Sequence, residues 1–195
     1  MRFMTFLIAV LALLFSATPL AHAQADTTAP RAVNAAVQTI RAWRGTVMSI
    51  GAYRPYRDPT IAGAERVFGP SSSRELGRHG DCRVDWRRLR LRIIFEKLGG
   101  PDPGETTCAG TVGQAQWVTV RGRGFRTWKG LRVGHRSATI PERHPSAHFA
   151  NHSWVLKSAR SGDAEDFSYA VVKAIVSDGR VTMITGWIGA AGYFA

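Results

Sequence analysis

The stretch CRVDWRRLRLRIIF (residues 82–95) decides the fold class. Its apolar side chains alternate with charged ones, first at Cys82, Val84 and Trp86 and then, one residue out of phase, from Leu89 onward. Strict alternation predicts strands with one buried and one solvated face. The change of phase predicts a bulge or a tight turn between two strands. We therefore expect an antiparallel sheet built around this stretch.

Arginines occupy the charged positions in the second part of the stretch. Arg88, Arg90 and Arg92 are predicted to project from one strand about 6.6–7 Å apart, opposite a row of buried aliphatic residues. Such a ladder repels itself unless carboxylates on neighbouring strands or an anionic partner neutralise it. The three arginines are therefore candidate binding residues.

A second basic cluster follows on a glycine-rich loop, where Phe125 and Trp128 interleave with the charges. Some polymer and nucleic-acid binders combine aromatic and basic residues in this way. The alternative is that both aromatics belong to the core and that the arginines are only solvated. The candidate contact residues of this loop are Arg121, Arg123, Arg126, Trp128, Lys129 and Arg132.

Local patterns on both sides of this stretch predict short helices and further strands. Asp58 is expected to cap a helix that begins at Pro59 and ends at Gly69, and Asp178-Gly179 marks a hairpin turn. The remaining predictions are helices over 30–43 and 137–144, a short strand and loop over 44–57, and strands over 116–120, 153–157, 168–176 and 180–187.

These elements predict an α+β fold, with antiparallel sheet and short helices. After a leader over residues 24–44 we expect a single domain over 45–195. The second part of the domain repeats the order of the first, a short helix followed by strands. Two tandem pseudo-repeats (45–113 and 114–195) are therefore an alternative description of the same domain.

The N-terminus has the pattern of a secretory signal peptide. Arg2 precedes an apolar run over residues 5–17, and Ala21-His22-Ala23 offers a small-x-small cleavage site. The run is shorter than the roughly 20 residues that span a bilayer. We therefore predict a cleaved signal over residues 1–23, no transmembrane segment, and a secreted protein that is extracellular or held in the cell envelope.

Cys82 and Cys108 are the only cysteines of the chain. In an exported protein such a pair forms a disulfide more often than two free thiols. The bond would close a loop of about 27 residues and stabilise the fold by about 3 kcal/mol. Two cysteines are too few for a typical zinc site.

The chain carries 26 lysines and arginines against 14 acidic residues, a formal charge of +12. Such charge favours anionic partners, among which wall polymers, lipid surfaces and nucleic acids are not distinguished by charge alone. In an exported protein we expect an anionic cell-wall polymer or a secreted protein as partner, and not nucleic acid.

No G-x-S-x-G elbow, P-loop, H-E-x-x-H motif or EF-hand loop is present. Asp163, Glu165 and Asp166 fall in a predicted solvated loop, and the four-residue spacing of His144, His148 and His152 is interrupted by Pro145. We therefore expect no catalytic residues, no metal and no cofactor. Two alternatives remain: an inhibitor of a secreted enzyme, or an exported hydrolase whose site combines distant residues such as His135, Asp85 and Glu96.

Three sequence segments carry a family resemblance. CRVDW (82–86), WKGLRVG (128–134) and DGRVTMITGWIGAAG (178–192) resemble a group of secreted actinobacterial proteins of uncharacterised function, over roughly residues 45–192. The order of helix and sheet is also similar to the beta-lactamase inhibitor protein and to small outer-membrane assembly lipoproteins. That layout implies a non-enzymatic binding module and identifies no functional residue.

Overall fold

Strands dominate the part of the chain that the computed structural model describes, namely residues 37–43, 45–97, 107–109, 113–160 and 168–189. Two short α-helices accompany them, so these residues form a sheet-rich α+β fold. In chain order the elements are β1 (Gln38–Trp43), β2 (Thr46–Ile50), α1 (Ile61–Phe68), β3 (Ser73–Leu76), β4 (Cys82–Trp86), β5 (Leu91–Glu96), a 3-10 turn (Thr107–Ala109), β6 (Gln114–Val120), β7 (Phe125–Thr127), α2 (Thr139–Arg143), β8 (His148–Ala150), β9 (Ser153–Arg160), β10 (Ser168–Ser177) and β11 (Arg180–Trp187).

The phase change in the opening stretch is a tight turn. Residues 87–90 join β4 to β5, and Arg90 has a positive φ of 52°. The predicted ladder is therefore wrong, because Arg88 and Arg90 lie in the turn and only Arg92 projects from a strand. Turn residues absorb the one-residue shift that the alternation requires, so the buried face continues from Trp86 on β4 to Leu91 on β5.

The larger sheet is antiparallel throughout. Its strand order is β3-β4-β5-β6-β11-β10-β9-β8. The predicted turn at Asp178-Gly179 is confirmed, with positive φ at both residues. Every second residue of the central strands points into the core, including Val84, Ile93 and Val118, each at most 1% exposed. The opposite face of this sheet is hereafter called the open face.

A second sheet of three strands has the order β2-β1-β7, with β1 and β7 parallel. The helix predicted over 30–43 is therefore wrong for its described part, since residues 38–43 form β1. β2 packs on the core face of the larger sheet, where a Cβ on Gly186 would lie 2.6 Å from Val47 Cγ2. Glycine thus allows the two sheets to approach at this point.

The first predicted helix is confirmed, with a shifted start. The Thr60 side chain caps α1 by accepting a hydrogen bond from the Gly63 N–H, and Asp58 in turn accepts one from the Thr60 hydroxyl. Gly69 ends the helix with a φ of 80°. Phe68 packs edge-on against both Tyr53 and Trp86, which anchors α1 to the core.

The predicted disulfide between Cys82 and Cys108 is confirmed. It joins β4 to the 3-10 turn, which is also held by a 2.6 Å hydrogen bond from the Thr107 hydroxyl to the Gly80 carbonyl oxygen. No α-helix among the described residues is long and apolar enough to cross a membrane.

Several predictions lie outside the described residues. These are the signal peptide over 1–23, most of the leader, the carboxylates Asp163, Glu165 and Asp166, and most of the loop between β5 and β6. The proposed division into halves at residue 113 also stays a prediction.

Candidate anion-binding site

An open cavity of about 220 Å³ lies at the end of the larger sheet where β4 and β6 finish and β5 begins. Antiparallel order brings these three strand ends together, so their flanking turns meet there. We call this cavity the arginine pocket. Its lining residues are Asp85, Trp86, Arg87, Arg90, Leu91, Arg92, Thr119 and Arg121.

Backbone contacts hold the two turns of the pocket against each other. The Arg121 N–H donates a 2.8 Å hydrogen bond to the Arg90 carbonyl oxygen. A Cβ on Gly122 would collide with the Leu89 carbonyl oxygen, so only glycine permits this approach. These backbone contacts bring Arg90 and Arg121 together at the pocket.

One arginine of the pocket is neutralised internally. Arg92 donates two hydrogen bonds of 2.9 Å to the two carboxylate oxygens of Asp85, its register partner on β4. These hydrogen bonds raise the pKa of Arg92. Of the two alternatives given for the ladder, carboxylates on neighbouring strands or an anionic partner, the first applies to Arg92. A bidentate pair of this kind holds the guanidinium in one orientation.

The other three arginines of the pocket, Arg87, Arg90 and Arg121, are exposed. Among the described residues none of the three has a carboxylate within 4.0 Å, and all arginine–carboxylate ion pairs of that part of the chain involve residues 58–92. Like charges held close together raise the local positive potential. The pocket is thus suited to attract an anion.

Further arginines continue the positive surface along the same end of the sheet. The loop after β6 lies near the segment before α2, since a Cβ on Gly134 would be 3.3 Å from Arg123 Nε. Arg180 Nη1 donates a 3.0 Å hydrogen bond to the Gly134 carbonyl oxygen. Burial, together with the charges of Arg132 and Arg143, lowers the pKa of His135. We call the whole surface the basic rim. It consists of Arg87, Arg88, Arg90, Arg121, Arg123, Arg132, Arg136 and Arg180.

The C-terminal part of the fold offers little to neutralise this rim. Residues 113–160 and 168–189 contain eleven lysines and arginines but only two carboxylates, Glu142 and Asp178. Within these described residues the basic side chains therefore greatly outnumber the carboxylates that could neutralise the rim.

The sequence-predicted site residues separate into three groups. Arg90, Arg92 and Arg121 line the pocket, whereas Arg88, Arg123 and Arg132 lie on the rim outside it. Arg126 and Trp128 belong to neither: Arg126 Nε donates to the Thr39 hydroxyl at 3.1 Å, and Trp128 packs edge-on against His144. Lys129 is exposed on the same loop.

Phe125 cannot contact a ligand as the interleaved aromatic and basic residues of the glycine-rich loop suggested, because it is 1% exposed and lies in the core. Arg87, Arg136 and Arg180 were not singled out from the sequence. A usable signal existed for Arg180, because it follows a recognisable Asp-Gly turn at a sheet end.

The residues named for a hydrolase are not brought together. Asp85 is paired with Arg92 on β5. Glu96 lies four residues after Arg92 on the same strand, about 13 Å away, where its register partner is Gln114. The arginine pocket contains neither Glu96 nor His135. No group of three metal-ligating side chains occurs within the described residues.

His144 has a structural environment. It is 1% exposed, and its Nε2 lies 2.9 Å from the Thr127 hydroxyl oxygen. Burial, with a smaller contribution from Lys129, lowers its pKa to about 4. The imidazole is therefore neutral at pH 7, and its role is to join α2 to β7.

This burial predicts an acid-sensitive fold. In the unfolded chain His144 binds a proton below about pH 6.5, but the folded protein resists protonation until about pH 4. The free energy of unfolding should therefore fall as the pH drops between these values, by at most about 3 kcal/mol. Denaturant unfolding at a series of pH values measures this loss. The loss should be absent in His144→Gln and retained in the control His148→Gln, because His148 is exposed. The same pH dependence of the free energy of unfolding in His144→Gln and in the wild type would contradict the prediction.

Comparison with protein-family models, with curated proteins and with solved structures finds no match for this chain. The resemblance to secreted actinobacterial proteins and to the beta-lactamase inhibitor layout stays a prediction.

Proposed function

We propose that this protein is an exported, non-catalytic binding domain whose basic rim contacts an anionic polymer of the cell envelope. The observation that carries the proposal is the arginine pocket, in which three exposed arginines lack a carboxylate partner among the described residues. Guanidinium groups bind carboxylates and phosphates through paired N–H donors. An anionic ligand would supply the charge that the fold does not.

The extent of the rim favours a polymer over a small ion. Positive residues continue from the β4–β5 turn to the β10–β11 turn, across several strand ends. A long polyanion could contact many of these positions at once, and each contact releases counterions. Such binding weakens steeply with salt.

The Cys82–Cys108 disulfide supports export, since such bonds persist in oxidising compartments. The strand order supports a tandem layout as part of the same proposal. From its two edges the sheet runs β3 to β6 and β8 to β11, and α1 and α2 precede these two runs. This order would place the junction of the halves after β6, rather than before it.

Removal of charge from the pocket alone would not separate the effect of the site from that of net charge, so the test compares two double variants. Arg90→Ala/Arg121→Ala removes two charges from the pocket. Arg78→Ala/Arg160→Ala removes two exposed charges from the opposite end of the sheet. Titration with polyphosphate at several salt concentrations should show weaker binding and a salt slope lower by about 2 for the pocket variant.

The opposite-end variant should bind nearly as the wild type does. Equal losses in the two variants would mean that net charge alone drives binding, and would reject the rim as the contact surface. Absence of wild-type binding to any polyanion would reject the proposed function and favour a protein partner, as expected of an inhibitor.

A further inference from the structure

An exposed tryptophan lies beside the arginine pocket on the open face. Strand register aligns Ile94 on β5, Trp117 on β6 and Trp187 on β11 in one row. Trp117 is 36% exposed and does not belong to the core cluster. It precedes Thr119, which lines the pocket, by two residues on the same face, a separation of about 7 Å.

The next row of the open face carries three lining residues of the pocket and one further threonine. Asp85, Arg92, Thr119 and Thr185 are aligned there across four strands. Carboxylate and hydroxyl groups can hydrogen-bond to sugar hydroxyls. The face therefore combines an apolar aromatic surface, hydroxyl-binding groups and an anion pocket within the span of a short oligosaccharide.

We propose that the polymer is an acidic glycan, in which one sugar ring stacks on Trp117 while a carboxylate of a neighbouring sugar enters the arginine pocket. This inference rests on the proposed function and adds the chemical class of the ligand. The Asp85–Arg92 pair shows that a carboxylate fits an arginine of this pocket in bidentate geometry. A flat aromatic side chain offers large contact area to the apolar face of a sugar.

The test uses calorimetric titration of the full chain with polygalacturonate, polyphosphate and single-stranded oligo(dT) at one ionic strength. Trp117→Ala should weaken polygalacturonate binding about tenfold, the effect of losing one stacking contact. Its binding of polyphosphate should change less than about twofold, because the charged groups are intact. The matched control is Trp43→Ala, which removes a tryptophan that is 66% exposed on β1 and should alter neither titration.

Trp117→Phe keeps an aromatic ring and should retain most of the affinity, which separates stacking from a folding defect. Three results would overturn the inference: equal losses on polygalacturonate and polyphosphate, a loss on oligo(dT) as large as that on polygalacturonate, or wild-type binding of polyphosphate without binding of polygalacturonate. In each case the proposed function survives. A wild type that binds none of the three polyanions would instead reject the proposed function itself.

Discussion

Replacing Phe68 by alanine is expected to lower the free energy of unfolding by about 3–5 kcal/mol. Phe68 is 4% exposed, and its ring centroid lies 5.8 Å from that of Tyr53 and 5.5 Å from that of Trp86. The neighbours cannot easily close the space, because Trp86 Nε1 is held by a 2.8 Å hydrogen bond to the Gly69 carbonyl oxygen. A cavity would therefore remain, and both edge-on ring contacts would be lost.

Denaturant unfolding measures this loss, with Phe68→Leu as the control. Leucine keeps much of the apolar volume, so its loss should be less than half that of alanine. A loss below about 1 kcal/mol for Phe68→Ala would fall in the range of exposed positions. It would show that α1 does not anchor to the core through this side chain.

Removal of the disulfide in Cys82→Ala/Cys108→Ala is expected to cost about 3 kcal/mol. The bond spans a sequence separation of 26 residues, and its loss frees that loop in the unfolded state. The folded state should keep its local structure, because Arg74 Nη1 donates to the Cys108 carbonyl oxygen at 3.0 Å and Thr107 bonds to Gly80. Most of the effect thus arises from the unfolded chain.

Both cysteines are replaced together so that no free thiol remains. The unfolding midpoint of the double variant should match that of the wild type under reducing conditions and lie well below that of the oxidised wild type. Equal midpoints for the double variant and the oxidised wild type would contradict the prediction.

Local sequence patterns were sufficient for several elements. The alternation around Cys82 and its phase change predicted β4, β5 and a break between them, because side-chain period and burial are linked in a strand. Asp178-Gly179 predicted its turn, since both residues tolerate positive φ. The end of α1 at Gly69 followed from the same property.

The failures occurred where long-range pairing decides. Helical spacing around Ile40 predicted a helix, but residues 38–43 pair with β2 and, in parallel, with β7, so that Gln38 faces Phe125. No local window contains that partner. Tertiary hydrogen bonding and burial of Ile40 outweigh a weak local preference.

For the candidate site, the charge, the cysteine pair and the strand alternation could be read from the sequence, because each depends on composition or on neighbouring residues. It identified Arg90, Arg92 and Arg121 individually as binding candidates. That Arg90 and Arg121 meet depends on the fold, since β5 and β6 are neighbours whose ends coincide. The fold also pairs Arg92 with Asp85 and leaves Arg87, Arg90 and Arg121 exposed. Which charges find a partner depends on register across strands, and register is set by packing of the whole sheet.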